Sequence, residues 1–264
     1  MTKTLKRFLI SSSLDRWDRN RKGVARTILL TQEETHHLKN VLRIREGNLC
    51  LLFDREGNEF VSRIEHFRSD ARSEAELIKP VSMEQDGLLQ LTVAQAVPQD
   101  RRMDVIVQKS AELGIFKLIP LVTERTVVRM VAEQFKKVHA RWKRIAEQTL
   151  KQSRIHKAPE IASLTSFEEL LSRLSPYDRV FLFHPSPDAK PIREALPSDN
   201  GSVRSKITTC VQILLVIGPE GGFSPREVKE ACRHGAEVIR MGSGILKTDT
   251  AFVTSVGFFR LMYS

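Results

Sequence analysis

The chain has 264 residues, 41% of them hydrophobic and 28% charged, which excludes wholesale disorder and leaves room for two cores at roughly 150 residues per domain. Lys and Arg outnumber Asp and Glu by 42 to 32, and the resulting net charge of +10 makes nucleic acid the leading partner, ahead of the blander reading of a merely basic protein. Cys50, Cys210 and Cys232 form no C-x-x-C pair and read as buried thiols of a reducing compartment; the apolar runs are too short for a signal peptide or a membrane helix, so a cytoplasmic location is expected.

Five short runs, LKRFLI, RTILL, NLCLLFD, NEFVSRIEHF and SEAELIK, predict strands separated by turn-forming clusters, and such close spacing suggests a small barrel over residues 1–80. A helical insert from about Glu33 to Leu42 gathers His36, His37, Lys39 and Arg43. The adjacent histidines point to different sides of a helix and no carboxylate or thiol cluster joins them, so no metal is expected.

From residue 88 the order becomes strand, turn, helix, strand, which predicts α/β layering with a mainly parallel sheet over 88–264. LLQLTVAQAV is a strand, a helix follows with Met103, Ile106, Val107 and Leu113 on its inner side, and Gly114 ends it before the strand FKLIPLVT. The next helix, 132–152, carries a core stripe of Phe135, Val138, Trp142, Ile145 and Thr149. Its other face is basic: between Lys136 and Lys157 eight Lys or Arg, including Arg141, Arg144, Lys151 and Arg154, accompany one acid, Glu147. A solvated face mixes signs, so the imbalance points to a phosphate-tracking surface. Ser166 and Glu169 fit a capping box before the strand DRVFLFHP, and 196–206 is a polar loop.

The densest information lies between residues 211 and 251. VQILLVIG reads as a buried strand running into Gly218-Pro219-Glu220-Gly221-Gly222, after which Ser224, Pro225 and Glu227 start a helix and Phe223 can staple onto Val228. The glycine spacing matches neither a phosphate-binding P-loop nor a dinucleotide fingerprint, and Glu220 would repel phosphate. Close backbone approach to a flat uncharged group such as adenine fits better, with a ligand-free tight turn as the alternative. AEVIRMG is a further strand ending in a glycine turn, and Thr248 or Asp249 caps a last helix striped by Phe252, Val256, Phe259 and Tyr263. The remaining apolar residues of that helix, Val253, Phe258, Leu261 and Met262, fit either a dimer interface or burial on all sides.

IGPEGGFSPREV, MGSGILKTDTA, QAVPQDRRMDVIVQKSAELG, TERTVV and HHLKNVLRIREGN followed by LLFDREGNEF, taken together and in this order, resemble the RsmE family of 16S ribosomal RNA uridine-N3 methyltransferases over nearly the whole chain. The resemblance implies an N-terminal PUA-like β-barrel that helps hold RNA, a C-terminal SPOUT domain with a deep trefoil knot, a homodimer, and S-adenosyl-L-methionine bound in the knot. Carried over by position, the donor pocket comprises Leu182, Phe183 and His184, then Ile217, Gly218, Glu220, Gly221 and Gly222, then Met241, Gly242, Ile245 and Leu246, with Thr250 and Ala251 behind. Glu220 either orders its loop, lies near the sulfonium, or serves as a helix-start carboxylate. The chain departs from the family in two places: Gly244 stands where an Arg-Ile-Leu-Arg run begins, and Gln152-Ser153-Arg154-Ile155 places an arginine one position earlier than Gln-Ser-Gly-Arg does.

Methylation at N3 of a uridine removes a proton and leaves charge on O2 or O4, which a cation can stabilise. Arg154 is the leading candidate, followed by Lys247 and Arg125; Asp249 is a possible base, though capping suits it better. Arg7, His37, Lys39 and Arg43 of the small domain join Arg141, Arg144 and Lys151 as expected RNA contacts, with 16S RNA or the small ribosomal subunit as substrate. The competing expectations are a non-catalytic RNA-binding or ribosome-assembly protein and a methyltransferase acting on another RNA.

Overall fold

The computed structural model describes residues 5–14, 27–81, 89–127, 131–150, 155, 157–195 and 210–263; Lys151, Arg154 and the polar stretch 196–206 fall outside them. The chain divides into two compact units, Met1–Glu84 with Leu150–Lys157, and Gln85–Thr149 with Ala158–Ser264.

In the first unit, β1 (Arg7–Leu9), β2 (Thr27–Leu30), β3 (Leu49–Phe53), β4 (Glu59–Phe67) and β5 (Ser73–Pro80) form one sheet in the order β1-β3-β4-β5-β2. Among the described residues the order is open, with no ladder joining the edge strands β1 and β2 into a closed barrel. Period-two burial of Phe60, Ser62 and Ile64 on β4 faces Cys50 and Leu52 of β3 and Leu30 of β2 inward. Burial pushes the Cys50 thiol up to about 12, so it stays protonated. Cys210 and Cys232 are exposed, correcting the expectation that all three thiols are buried. Helix α1 (Gln32–His36) starts with a complete capping box between Thr31 and Glu34, then widens into a π-helical turn, His37–Val41; Arg43 follows with φ +52°.

The second unit is built on an eight-stranded sheet whose pairings are all parallel. Its elements are β6 (Leu89–Ala96), α2 (Arg102–Glu112), β7 (Lys117–Val122), α3 (Ala132–Leu150), β8 (Glu160–Ile161), β9 (Thr165–Ser166), α4 (Phe167–Leu171), β10 (Arg179–Phe183), β11 (Lys190–Pro191), β12 (Val211–Ile217), α5 (Pro225–Arg233), β13 (Glu237–Arg240) and α6 (Thr248–Tyr263). The strand order is β11-β13-β10-β12-β6-β7-β8, with β9 also on β7. Because β12 is covered on both faces, its inward positions are apolar without alternation. On one face Ile213, Leu215 and Ile217 pack with Phe181, Ile106, Val107, Trp142, Phe252 and Phe259; on the other, Leu214 and Val216 pack with Leu182, Phe167, Leu170 and Phe223. Each such fully buried side chain contributes roughly 1.5–3 kcal/mol. Trp142 donates its indole N–H to Asp104 at 3.0 Å, and the same oxygen takes Arg141 at 2.9 Å, so one carboxylate ties α3 to α2.

Two helix starts differ from expectation. Ser166 caps α4 by accepting from Glu169 N at 3.1 Å, but the reciprocal half of the box is not made. On α6 the carbonyl of Lys247 accepts the first helical bond, from Ala251 N at 2.8 Å, which puts Lys247, not Thr248 or Asp249, at the N-cap. A lysine has no acceptor to offer the free amides there and forgoes the roughly 0.5–2 kcal/mol that a Ser, Thr or Asp would contribute.

Candidate active site

The C-terminal ends of β10, β12 and β13 open into a cleft of about 470 Å3, where ligands collect on open parallel sheets. One wall is Phe183, His184 and Pro185; the floor is 217–222; the far wall is Ile239, Arg240, Met241 and 244–247, with Thr248 and Ala251 of α6 behind and Arg102 and Arg125 at the mouth.

The floor is fixed from both sides. Helix α5 begins with a complete capping box, Ser224 with Glu227, and Pro225 in the first turn. Glu227, only 2% exposed, takes the amides of Ser224 and Glu124, each at 2.8 Å, so the cap also anchors the turn after β7. In that turn Thr123 N donates to Thr126 Oγ1 at 2.9 Å, and Glu124 pairs with Arg226 at 2.5 Å. The turn delivers Arg125, which donates to the carbonyl of Gly221 at 2.8 Å. On the opposite side Glu220 accepts from Arg102 at 3.0 Å and from Gln99 N at 3.3 Å. A Cβ on Gly218 would stand 3.1 Å from the Phe223 ring, and Gly222 has φ +66°, so neither place suits a side chain.

Four cations, Arg102, Arg125, Arg240 and Lys247, line the cleft against one carboxylate, Glu220. Three are engaged: Arg102 and Arg125 as above, and Arg240 with the carbonyls of Ala189 (3.1 Å) and Gly242 (3.3 Å). Burial, and then the charge of Arg125, hold the His184 imidazole below its ordinary value of 6.5, so it is neutral at neutral pH. Its Nδ1 is buried and has no hydrogen-bond partner among the described residues.

The cleft gathers most of the residues expected to hold the donor: Phe183, His184, Ile217, Gly218, Glu220, Gly221, Gly222, Met241, Ile245, Leu246 and Ala251. Three of that set do not line it. Leu182 turns into the core beneath α4 and α5, Gly242 shapes its turn with φ +70°, and Thr250 is exposed one residue before the lining Ala251. Of the expected catalytic cations, Arg125 and Lys247 line the cleft and Arg154 falls outside the described residues. Arg102, Pro185, Ile239, Arg240 and Thr248 were not anticipated; the pairing of β13 with β10 brings in Ile239 and Arg240, and the start of α2 brings in Arg102. Among the described residues no three His, Cys, Asp or Glu side chains converge as a metal site.

The expected RNA contacts divide. Lys39, Arg43 and Arg144 are exposed, Lys39 also lying 5.2 Å over the Phe67 ring; His37 leans on Phe8; Arg141 is exposed but paired with Asp104. Arg7 is a correction. Its side chain is 12% exposed, bonds Glu59 at 2.8 Å, lies 3.7 Å over Phe53, and donates to the carbonyls of Leu150 (3.0 Å) and Ile155 (3.1 Å). Its guanidinium is thus committed to Glu59 and to the carbonyls of Leu150 and Ile155, not held out as a surface cation.

Comparison with known proteins defines the class. Residues 85–260 match the RNA methyltransferase domain and residues 30–68 the RNA methyltransferase PUA domain, so the chain belongs to the RNA methyltransferase family. Its first unit is PUA-like, and its second is mixed α/β on a parallel sheet. More particularly, the chain is similar to ribosomal RNA small subunit methyltransferase E of Bacillus subtilis, 27% identical over 86% of this chain and 87% of that one. The corresponding Synechocystis protein is 26% identical over 85% of this chain and 70% of its own. The crystal structure of the Neisseria gonorrhoeae protein of that name, bound to S-adenosyl methionine, aligns over 98% of both chains at 25% identity and a TM-score of 0.76.

Proposed function

We propose that this protein transfers the methyl group of S-adenosyl-L-methionine to N3 of a uridine in 16S ribosomal RNA, acting in the cytoplasm as a homodimer. The observation that carries the reading is the cleft itself, a glycine floor clamped by Arg102–Glu220 and Arg125–Gly221 at the switch edge of a parallel sheet, in a chain of this family.

The residues present fit the donor. Its volume suits a drug-sized ligand, Ile217, Met241 and Leu246 offer apolar walls for a purine, and the bare backbone at 218–222 permits close approach. His184 Nδ1, without a partner among the described residues, offers a neutral hydrogen-bonding group to the ribose or methionine arm. When bound, the donor supplies an electrophilic methyl on a sulfonium. The chain's residues then orient it, exclude water, and present a cation to the acceptor from among Arg154, Lys247 and Arg125. The resemblance also carries a SPOUT arrangement with a deep trefoil knot in the second unit and an RNA-holding PUA-like domain in the first.

RNA recognition is supported on each unit separately, by Lys39 and Arg43 beside the π-helical turn and by Lys136, Lys137, Lys143 and Arg144, exposed along α3. The exposed apolar residues of α6, Val253, Leu261 and Met262, supply a face for self-association. The direct test incubates the purified protein with tritiated S-adenosylmethionine and either naked 16S RNA or small subunits from a strain lacking the modification. Label at a uridine N3 is the expected outcome and identifies the substrate state; donor binding without label would instead favour a non-catalytic RNA-binding role.

A further inference from the structure

We propose that Lys247 is the catalytic cation: its ammonium contacts the carbonyl oxygen that gathers charge on the acceptor base, while Arg102 and Arg125 are positioning residues for the donor floor. This assignment rests on the methyltransferase reading and deepens it.

Three independent observations lead to it. The first is commitment. Arg102, Arg125 and Arg240 each spend their guanidinium on the protein, on Glu220, on the Gly221 carbonyl, and on the carbonyls of Ala189 and Gly242. Lys247 lines the same cleft, is exposed, and its side chain makes no hydrogen bond or ion pair among the described residues. The second is placement. Lys247 occupies the N-cap of α6, where its side chain satisfies no amide and its charge opposes the positive end of the helix dipole. Thr248 and Asp249, better capping residues, stand immediately beyond. A residue kept where local structure disfavours it marks a functional demand. The third is the sign of the cleft. Four cations against Glu220 leave an excess of three positive charges, which a sulfonium donor does not call for and an anionic acceptor does.

In the step itself the N3–H bond breaks and its proton passes to solvent. The electron pair left on N3 forms the new N–CH3 bond, and the S–CH3 bond breaks with its pair going to sulfur. Lys247 donates to O2 or O4, where the negative charge resides, the arrangement that most effectively lowers such barriers. The titratable groups facing this position are Glu220, His184, Arg102, Arg125 and Arg240 from the cleft and Asp249 from its own helix.

The test uses the full chain with Lys247→Met and Lys247→Arg, tritiated donor and unmodified small subunits. It reads transfer rate at saturating substrates from about pH 6 to about pH 9.5, and donor affinity by calorimetry. The expected result for Lys247→Met is unchanged donor affinity and a rate about 100-fold lower near neutrality. That deficit should narrow as pH rises and solvent base ionises N3 unaided, and Lys247→Arg should recover most of the rate. The assignment is overturned if Lys247→Met keeps the wild-type rate, if its deficit is the same at every pH, or if donor affinity falls with it. A wild-type protein that binds donor but labels no RNA would overturn the underlying reading and this assignment with it.

Discussion

The loops that follow β12 and β13 border one cleft and lead into α5 and α6, yet they are held in opposite ways. The first ends in a complete capping box with Pro225 and is bonded on one side to Arg102 and on the other to Arg125. The second, 242–247, is exposed throughout, carries Ile245 at 86% exposure, and enters its helix through a lysine that cannot cap. A rigid floor preorganises the ligand that must be placed identically every cycle; an adaptable wall with a free cation suits a large acceptor that arrives from outside.

Breaking the rigid side should produce the largest effect. Glu227→Ala strands the Ser224 and Glu124 amides, both bonded to a buried carboxylate, and should lower unfolding free energy by about 3 kcal/mol in a denaturant titration, with donor affinity falling as Arg125 loses its turn. Giving the other loop a cap sharpens the contrast. Lys247→Ser should raise stability by about 1 kcal/mol while lowering transfer, so a variant that gains stability and keeps its rate would contradict the proposed division.

A smaller effect concerns pH. His184 is held below its ordinary 6.5 by burial and by Arg125, so between the two values the unfolded chain takes a proton that the folded chain refuses. That stability is complete above about 6.5 and is lost as pH falls from there toward the lowered value. Melting temperatures measured down through that window should fall more for the wild type than for His184→Phe. The smallest effect is expected at the surface: Lys136→Ala with Arg144→Ala should weaken RNA binding without altering the methylated position, and should reduce the slope of affinity against salt by about two phosphate contacts.

Features set by neighbouring residues were legible in sequence. The core strands follow from short apolar runs, the start of α5 from Ser224, Pro225 and Glu227, and the floor from its glycines. Features set by distant partners were not. The paired strands β8, β9 and β11 are two residues each and exist only through the ladders they join. Arg7 looked like a surface cation because Glu59, Phe53 and the carbonyls of Leu150 and Ile155 are remote along the chain. Arg240 belongs to the cleft because β13 pairs with β10, and the N-cap of α6 misled because Thr248 and Asp249 both look like caps while the helix starts one residue earlier.

The pairing of β6 with β12 also sets a timetable for synthesis. Leu89 lies beside Val211 and Gln95 beside Ile217, so the central ladder of the second sheet cannot close until residue 217 has been made and released from the exit tunnel. At about 5–20 residues per second, β6 can pair with β7 soon after its synthesis, but its other edge waits several seconds or more for β12 and is meanwhile uncovered. The strands β1 to β5 are complete by residue 80 and have no such wait. Nascent chains stalled shortly before β12 should therefore be digested by protease within residues 89–217 while the first five strands survive.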